Sequence, residues 1–323
     1  MTAETPTLRA DLHLHSYHSG HAGHLRFLRT RDCYSDPEAV YRTARARGMD
    51  LVTITDHDSI DGCLEFLDRH PDAPDFFISE EIECWMPGVP LKVHIGAYGI
   101  NERIHRDVQP LRRNAFEVAA YLREQQVCFS LNHLFFFYRG QMALDDYVSA
   151  MLRTFGAFEV RNGAMLREHN ELIEALLSRQ ACLAEAPQVR RLGGSDAHTL
   201  RRIGTTYTEA EGRTREEFLA SLRAGRTRVG GRHGRPWDIA AEIYGVVGCY
   251  WQALAGLRRH DMSWPTRFIG WGWSLASLPA EFVPILVAVL QKRDETRRVR
   301  EYRRHLLGSL APAPLTVQEV KES

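Results

Sequence analysis

Short apolar runs alternate with segments of helical periodicity from Leu8 to about Gly230. The apolar runs have the length and composition of strands, and the predicted strands cover 8–15, 50–55, 76–83, 91–95, 128–133, 157–160 and 191–198. Predicted helices cover 35–48, 59–69, 102–125 and 216–224. Strands that alternate with helices are typical of a parallel α/β protein, so we predict this fold class for residues 1–232.

The first helix has clear boundary signals. Ser35 or Asp36 is the predicted N-cap, Pro37 lies in the first turn, and Gly48 ends the helix. An N-cap side chain satisfies an unpaired N–H group of the first turn, so this helix start is predicted from local sequence alone.

Histidine and carboxylate side chains follow the predicted strands at the points where those strands end. In a β/α barrel, the carboxyl ends of the strands form the face on which active sites are assembled. We therefore expect the following residues to converge, although they are far apart in sequence: His13, His15, Asp56, His57, Glu81, His94, His133, Asp196 and His198. Side chains of these types are typical ligands of transition metals.

The clearest local motif is Asp11-Leu-His-Leu-His15 in the first strand. Because side chains alternate between the faces of a strand, Asp11, His13 and His15 share one face. Neutral imidazole is a common metal ligand, and a carboxylate behind it can orient the ring. Asp11 and Asp56 are the predicted orienting carboxylates, whereas the H-x-H pattern alone also fits a polar strand end.

Composition narrows the classes of partner. The 323 residues include 41 Lys and Arg and 41 Asp and Glu, so the net charge requires neither a nucleic acid nor an anionic membrane. The six cysteines form no C-x-x-C pair, which indicates reduced, mostly structural thiols. The segment Met1–Thr7 is polar and has no apolar signal region, so we expect a cytoplasmic protein.

Six short motifs resemble, in content and order, those of the PHP (polymerase and histidinol phosphatase) family of metal-dependent phosphoesterases. They are Asp11-Leu-His-Leu-His15, Ile54-Thr-Asp-His57, Glu80-Glu-Ile82, Val93-His-Ile95, Asn132-His133 and Gly194-Ser-Asp-Ala-His198. The resemblance covers residues 8 to about 230. It implies a distorted (β/α)7 TIM-like barrel over residues 1–232, followed by a C-terminal helical extension over 233–323.

The resemblance also implies three divalent metal ions. It assigns His13, His15 and Asp196 to the first ion, His94 and His133 to the second, His57 and His198 to the third, and Glu81 as a bridge between the first two. Mixed histidine and carboxylate ligation favours Mn, Fe or Zn over Mg or Ca. In such enzymes a hydroxide between two ions attacks the phosphate, so the chain is predicted to hydrolyse phosphate esters.

One ligand of the third ion is expected from the loop after the first strand. Many family members use the aspartate of an S-D-G turn there, whereas this chain has Ser19-Gly20-His21. Some members use a histidine at the position of His21, which is therefore the predicted ligand, with His18 and His24 as alternatives.

Three glutamates compete for the bridging position. Glu81 precedes the isoleucine as the family motif requires, and Glu80 and Glu83 are expected to point to the other face of the strand. We therefore predict Glu81 as the bridging ligand and, together with Asp196, as a catalytic carboxylate.

A phosphate group also needs cationic partners, and arginine suits it because the planar guanidinium can bind two oxygens at once. Arg139 and Arg161 follow strand ends, so they are the predicted catalytic arginines, with Arg26, Arg29 and Arg31 as alternatives. A solvated loop position is the simpler interpretation of each.

The expected partner is a phosphorylated small molecule, a nucleotide or a short RNA. The basic first loop and the aromatic run Phe135–Tyr138 could stack a nucleobase, as in the branch of the family that hydrolyses 3′,5′-bisphosphonucleotides and RNA 5′ ends. Core packing is the competing interpretation of these aromatics. The alternative functions are a histidinol-phosphate-type phosphatase and a non-catalytic, metal-binding regulatory module.

The C-terminal extension contains two apolar stretches, 237–257 and 268–290. Two prolines and Glu281 interrupt the second stretch, so we expect no membrane association. The predicted role of these helices is packing on the barrel or on a second subunit in a homo-oligomer. Lys292–Arg304 carries seven basic and three acidic residues, which indicates a solvated helix face, with contact to RNA or acidic lipid as the alternative.

Overall fold

The computed structural model describes residues 6–20, 30–181, 189–257, 262–277 and 282–308. One sheet contains, in spatial order, β2 (Ser79–Trp85), β3 (Lys92–Tyr98), β4 (Cys128–Leu131), β5 (Ala157–Asn162) and β6 (Arg190–Gly194). The second sheet contains β1 (Thr7–Ala10), β7 (Thr206–Glu211) and β8 (Thr227–Gly231), in that order. With helices between most of these strands, the α/β class is confirmed.

Strand direction differs from the prediction of a parallel protein. Strands β4, β5 and β6 are parallel, whereas the pairs β2–β3 and β3–β4 are antiparallel, and the second sheet is antiparallel throughout. Only residues 86–91 connect β2 to β3, which is too short for the crossover that a parallel pair requires. The prediction of a wholly parallel arrangement is therefore wrong.

The two sheets are linked by single-residue bridges rather than by continuous strands. Parallel bridges join Ala10 to Leu51, Val52 to Phe76, and Leu14 to Ala197. The predicted strand at 8–15 is thus shorter than expected, because β1 already ends at Ala10. The predicted strand at 50–55 is reduced to the isolated bridges of Leu51 and Val52. The described residues form no closed barrel, so the distorted (β/α)7 barrel stays a prediction.

Buried side chains replace the missing ladder hydrogen bonds in these short strands. The Ser16 N–H donates to Asp56 Oδ1 at 2.6 Å, and the Leu14 N–H donates to Thr55 Oγ1 at 3.0 Å. Because side chains satisfy these buried backbone donors, the segments beside the candidate site need no regular ladder.

The described helices before the extension are α1 (Pro37–Ala46), α2 (Asp61–Arg69), α3 (Glu102–Val108), α4 (Ala115–Glu124), α5 (Leu144–Thr154), α6 (Arg167–Ala181) and α7 (Arg215–Ala224). The predicted helix at 102–125 is divided, because a 3₁₀ helix at Gln109–Arg113 separates α3 from α4. Pro110 lacks the N–H that a continuous helix would need. Helices α5 and α6 and strands β7 and β8 are additional to the sequence prediction.

Helix α1 begins where the sequence predicts. The Asp36 carboxylate accepts hydrogen bonds from the N–H groups of Glu38 at 2.9 Å and Ala39 at 3.3 Å. Asp36→Ala should lower the free energy of unfolding by about 1 kcal/mol, because these donors lose their partner. Asp36→Asn keeps an acceptor oxygen and is the matched control in urea denaturation. Equal stability of the two variants would contradict this role of the cap.

The main hydrophobic core lies on one face of the five-stranded sheet. Ile82 in β2 and Val93 and Ile95 in β3 are buried there, together with apolar residues of α4, α5 and α6. Because side chains alternate along a strand, Glu81 and His94 point to the opposite face. This alternation separates the candidate ligands from the apolar core.

The described cysteines agree with the prediction of reduced, structural thiols. Cys33, Cys63, Cys84 and Cys128 are free thiols, and all four are buried. Burial raises the pKa of Cys63 to about 12 and that of Cys128 to about 11. Such thiols are poor nucleophiles near neutral pH.

The described part of the extension consists of α8 (Pro236–Leu254), α9 (Trp264–Ser277) and α10 (Val283–Leu307). Helix α10 packs against α6 and α8, and Arg298 and Tyr302 donate hydrogen bonds to the Tyr138 carbonyl at 3.1 and 3.2 Å. This contact corresponds to the predicted packing of the extension on the α/β part. Within the described ranges, no helix is both long enough and apolar enough to cross a bilayer.

Candidate metal centre

Eight of the nine predicted metal ligands lie in one cluster. They are His13 and His15 after β1, His57 before α2, Glu81 in β2, His94 in β3, His133 after β4, and Asp196 and His198 after β6. They form overlapping groups of three, and within each group the ligand atoms lie within 4.8 Å of one another. The ninth predicted ligand, His21, lies outside the described residues.

Glu81 is at the centre of this cluster. Its Oε2 lies 3.1 Å from His13 Nε2 and 3.1 Å from His57 Nδ1. Its Oε1 lies 3.2 Å from His94 Nδ1 and 3.2 Å from His133 Nε2. Oε2 also lies 3.7 Å from His15 Nε2. Each carboxylate oxygen thus faces at least two imidazoles, which is the arrangement that a bridging ligand requires.

Asp196 is the second carboxylate of the cluster. Its Oδ1 lies 3.5 Å from Nε2 of both His13 and His15, and 3.6 Å from Nδ1 of His198. The backbone φ is 51° at Asp196 and 28° at His133, in the left-handed region that few residues other than glycine adopt. Such strained backbone is found most often at functional sites.

Glu159 in β5 is a carboxylate that the sequence prediction missed. Its Oε1 lies 2.8 Å from His13 Nδ1, and its Oε2 accepts a hydrogen bond from the His133 N–H at 3.0 Å. The contact at Nδ1 leaves Nε2 of His13 facing the cluster, as a metal-binding ring requires. A lone acid within the apolar run Ala157–Val160 is the signal that could have identified it.

Two asparagines orient the central carboxylates. Asn132 Nδ2 donates to Glu81 Oε1 at 2.9 Å, and Asn162 Nδ2 donates to Asp196 Oδ2 at 3.0 Å. Asn132 belongs to one of the six sequence motifs, whereas Asn162 is the last residue of β5 and was not a predicted site residue. Both bonds fix the direction in which the carboxylates face the histidines.

Asp11 and Asp56 hold backbone segments rather than imidazole rings, so the prediction that they orient the rings is wrong. Asp11 accepts hydrogen bonds from the N–H groups of Ser195 at 2.8 Å and Gly204 at 2.7 Å. Asp56 accepts bonds from the N–H and the hydroxyl of Ser16, both at 2.6 Å. Burial raises the pKa of each carboxyl to about 6, against the lowering effect of these bonds.

Asp32 lies where the loop ligand of the third ion is expected. Its Oδ2 lies 2.8 Å from His198 Nε2 and 3.4 Å from His57 Nε2. Burial alone would raise the pKa of Asp32, but the two imidazoles hold it well below its usual range. The sequence prediction placed this ligand near Ser19, whereas Asp32 lies at the end of the same loop.

The predicted loop histidines have different outcomes. His21 and its alternative His24 lie outside the described residues. The other alternative, His18, has its Nε2 2.8 Å from Glu65 Oε2, and Glu65 is not part of the cluster. Asp32 thus joins His21 as a candidate for this position, and His24 stays the alternative.

The central carboxylates stay ionised in spite of their burial. Burial acts to raise the pKa of Glu81 and Asp196, but nearby imidazoles, above all His13, hold both pKa values well below their usual range. Burial lowers the pKa of His15 to about 3, and the neighbouring His198 adds to this effect. Burial acts to lower the pKa values of His13, His57, His94 and His198, but the facing carboxylates raise all four. A metal ion binds ionised carboxylates and neutral imidazoles, so it would displace the protons of these four rings.

Several buried ligand atoms have no hydrogen-bond partner among the described residues. They are Nε2 of His13 and His15, Nδ1 of His57, both ring nitrogens of His94, and Oε2 of Glu81. The ring nitrogens of His13 and His94 do face carboxylate oxygens at 3.1–3.8 Å, but without the geometry of a hydrogen bond. Buried polar atoms in proteins are nearly always hydrogen-bonded, so a group of atoms that lack such a bond at one place indicates a ligand set. Imidazole nitrogens and carboxylate oxygens together fit divalent ions such as Mn, Fe and Zn.

His94 reaches the cluster from near the start of its strand rather than from the end. It pairs with Glu83 in the antiparallel register of β2 and β3, so the end of β2 and the start of β3 lie side by side. The prediction that Glu83 points away is wrong, because alternate residues share a face, and Glu83 Oε2 lies 3.8 Å from His94 Nε2. Glu80 does point to the other face, where its Oε2 lies 2.8 Å from His105 Nδ1.

The two predicted catalytic arginines contact main-chain carbonyls. Arg139 donates to the carbonyls of Phe136 at 2.5 Å and Tyr138 at 2.9 Å. Arg161 donates to the Gly231 carbonyl in β8 at 3.0 Å. Contact of either arginine with a phosphate stays a prediction.

Side chains of the extension contact two loops that lie around the candidate centre. Glu242 in α8 accepts a hydrogen bond from Thr199 Oγ1 at 2.7 Å, directly after His198 in the chain. Lys292 in α10 donates to the Ala164 carbonyl at 3.0 Å, in the loop after β5. The extension therefore supports two of the loops around the candidate centre.

A family model described as PHP-associated matches residues 182–227. This match supports the predicted resemblance to the PHP family over those residues. The matched PHP-associated region includes Asp196 and His198 of the cluster, and its described part begins at residue 189. The comparison with curated proteins gave no match.

Solved structures with similar folds include the following three. A two-domain protein from Bacteroides vulgatus that contains a predicted PHP-like metal-dependent phosphoesterase has 17% identity and a TM-score of 0.48, over 77% of this chain and 70% of its own. PsfC from Pseudomonas syringae has 19% identity and a TM-score of 0.47, over 77% of this chain and 99% of its own. The lesion-specific endonuclease PfuEndoQ from Pyrococcus furiosus has 19% identity and a TM-score of 0.45, over 69% of this chain and 58% of its own. At these TM-scores the likenesses carry no argument about activity.

Proposed function

We propose that this PHP-related chain is a metal-dependent phosphoesterase that hydrolyses phosphate esters. The observation that supports the proposal is the convergence of six histidines on two buried, ionised carboxylates, Glu81 and Asp196. A protein gains little stability from such a group of buried titratable side chains, so their concentration at one place favours a functional interpretation.

The proposed cofactors are three divalent ions of Mn, Fe or Zn. The ligands would be His13, His15, Asp196 and Glu81 for the first ion, Glu81, His94 and His133 for the second, and His57, His198 and either Asp32 or His21 for the third. When bound, such ions act as Lewis acids that lower the pKa of water and polarise a phosphoryl oxygen.

The residues around the ligands hold them in place before a substrate arrives. Glu159 fixes the ring of His13, and Asn132 fixes the carboxylate of Glu81. Because donors that are already oriented need little reorganisation during the reaction, this support contributes to catalysis. The ring of Phe137 packs on the cluster, with its centroid 4.7 Å from that of His94.

A nucleotide or an RNA 5′ end is the proposed substrate class. The ring centroid of Phe136 lies 5.3 Å from that of His133, and Phe136 is 37% exposed. An exposed aromatic ring at the edge of the cluster could stack a nucleobase while the phosphate of the same nucleotide reaches the ligands. Phe135, in contrast, is buried in the core.

Phosphate release from a 3′,5′-bisphosphonucleotide, a 5′-phosphorylated RNA oligonucleotide and histidinol phosphate, each with Mn, Fe or Zn, tests the function. Phe136→Leu should raise KM for the nucleotide by about tenfold, because stacking on an aromatic ring contributes about 1–3 kcal/mol. The same variant should leave KM for glycerol phosphate unchanged. Faster hydrolysis of histidinol phosphate would favour the small-molecule alternative, and no release from any substrate would favour the non-catalytic module.

The loop ligand of the third ion can be tested separately, because Asp32 and His21 are both candidates for it. Asp32→Asn should lower the metal content by about one ion per chain, as measured by plasma mass spectrometry, because the variant loses a charged ligand. His18→Ala is the matched control from the same loop and should keep the full content. Loss of the ion in His21→Ala and not in Asp32→Asn would overturn the choice of Asp32.

The proposed fold is the distorted (β/α)7 barrel of the PHP family. The bridges from Leu14 to Ala197 and from His57 to Glu81 support it, because they bring separate strand ends side by side around the cluster.

A further inference from the structure

The extension carries nearly all of the large apolar side chains that are exposed in the described residues. Only Trp85 and Phe136 of the exposed large apolar residues lie outside it. Proteins that remain monomeric in water rarely expose large continuous apolar surfaces, so this part of the molecule is expected to have a partner.

One face of α9 is apolar and exposed, and it consists of Trp264, Phe268, Trp271 and Leu275. Their spacings of four, three and four residues place them on one side of the helix. The exposed fractions are 76%, 73%, 38% and 61% in the same order. Gly270 is buried on another side of α9, against Tyr250 and Leu254 of α8. The large side chains therefore point away from the rest of the protein.

One face of α10 changes from apolar to cationic along the helix. It consists of Leu286, Leu290, Arg293, Arg297, Arg300 and Arg304, whose spacings alternate between four and three residues. Leu286 and Leu290 are 47% and 54% exposed, and the four arginines, here called the arginine stripe, are exposed as well. Arg297 also forms an ion pair with Glu301 at 3.9 Å.

Tryptophan is concentrated in the same region. Five of the six tryptophans belong to the extension: Trp237, Trp251, Trp264, Trp271 and Trp273. All five are at least 36% exposed. Tryptophan is enriched at the boundary between the hydrocarbon and the water of a bilayer, where one part of the ring is apolar and the N–H is hydrated.

We propose that α9 and the apolar beginning of α10 insert into the surface of an anionic lipid bilayer, while the arginine stripe binds lipid phosphates. Helix α9 has 14 residues, so it is about 21 Å long, which is less than the hydrocarbon thickness of about 30 Å. The apolar part of α10 is shorter still, because it ends at Leu290 and charged residues follow from Lys292. Both helices therefore lie in the interface and do not cross the membrane. The proposal differs from the sequence expectation of no membrane association, and it extends the alternative of a contact between Lys292–Arg304 and acidic lipid.

A bilayer matches this surface better than a second copy of the chain does. If two copies paired in parallel through α10, the arginine stripes would face each other. If they paired in the antiparallel direction, the stripe of one copy would lie against the leucines of the other. RNA would match the arginines but not the leucines or the apolar face of α9, whereas an anionic bilayer offers both phosphates and hydrocarbon.

Co-sedimentation of the full chain with vesicles tests the proposal. The chain should bind vesicles of phosphatidylcholine with about one third phosphatidylglycerol, and bind at least about 100-fold more weakly to pure phosphatidylcholine, because each arginine adds to the attraction by anionic lipid. Tryptophan fluorescence should shift to shorter wavelength on binding, since five of the six tryptophans belong to the extension. The binding should weaken as the salt concentration rises.

Two sets of variants separate the contribution of the arginine stripe from that of the apolar face of α9. Replacing Arg293, Arg297, Arg300 and Arg304 by Gln should reduce binding to anionic vesicles by about 100-fold or more. The matched control replaces four exposed arginines of α3 and α4 and the segment between them, namely Arg103, Arg106, Arg113 and Arg123, and should bind like the unmodified chain. Phe268→Ser with Leu275→Ser should abolish the fluorescence shift, because these exposed side chains would no longer enter the hydrocarbon.

Three results would overturn the proposal. The first is no binding to anionic vesicles by the unmodified chain. The second is equal loss of binding in the control and stripe variants. The third is a dimer in analytical ultracentrifugation that Phe268→Ser with Leu275→Ser dissociates, without lipid binding, which would assign the surface to a second copy.

Discussion

Glu81→Gln should abolish measurable phosphate release, with a decrease in kcat of more than about 100-fold. Substitutions that only disturb the orientation of a metal ligand already cost about 10–100-fold, and Glu81 is itself the carboxylate that five imidazoles surround. Glutamine has nearly the same shape, so the fold is retained, but it lacks the charge that a metal ion requires. The metal content of the purified variant, measured by plasma mass spectrometry, should fall in parallel with kcat.

The adjacent residue supplies the control for this experiment. Glu80 is also buried, but its side chain lies on the other face of β2 and contacts His105. Glu80→Gln should therefore keep the metal content and keep kcat within about threefold, because a neutral partner near His105 does not touch the cluster. If Glu80→Gln lost activity and metal while Glu81→Gln kept both, the assignment of the central ligand would be wrong.

Removal of metal should both inactivate the protein and lower its thermal stability. A ligand that binds only the folded state stabilises it by about 4 kcal/mol when its free concentration is about 1,000 times its Kd. The cluster offers unpaired imidazole nitrogens that have no partner when the ion is removed, so the chelated protein loses this contribution. Differential scanning calorimetry should show a lower Tm after chelation and recovery when Mn or Zn is added back.

The same measurement on Glu81→Gln shows whether the stabilisation comes from the cluster. The variant should have little change in Tm on chelation, because it holds little metal in the first place. A chelator that lowers Tm equally in both proteins would place the stabilising ion elsewhere. A chelator that leaves the Tm of the unmodified chain unchanged would contradict metal binding in the folded state.

Local sequence signals were sufficient where a residue acts through its immediate neighbours. The N-cap at Asp36 and the first turn at Pro37 are where the pattern predicts them. The order of the short motifs predicted the PHP relationship, and the described motif ligands do lie together, as in the contacts of His13 and His133 with Glu81. The types of side chain that suit a metal are visible in the sequence without any coordinates.

Contacts between distant segments were not visible in the sequence. Asp32 lies beside His198 although 166 positions separate them, and Glu159 contacts His13 across 146 positions. Neither acid belongs to a motif, so only the paths of the loops and of β5 show that they face the cluster. Glu83 was misplaced for a simpler reason, because the alternation of side chains in β2 was not applied to it.

The sequence by itself determined which donors the protein has and in which order they occur, because the chemistry of a side chain is a local property. The tertiary structure decided which donors face one another. His94 joins the cluster near the start of its strand only because β3 runs antiparallel to β2. It also decided that the large apolar residues of α9 and α10 are exposed rather than packed, because exposure depends on which other elements cover a face.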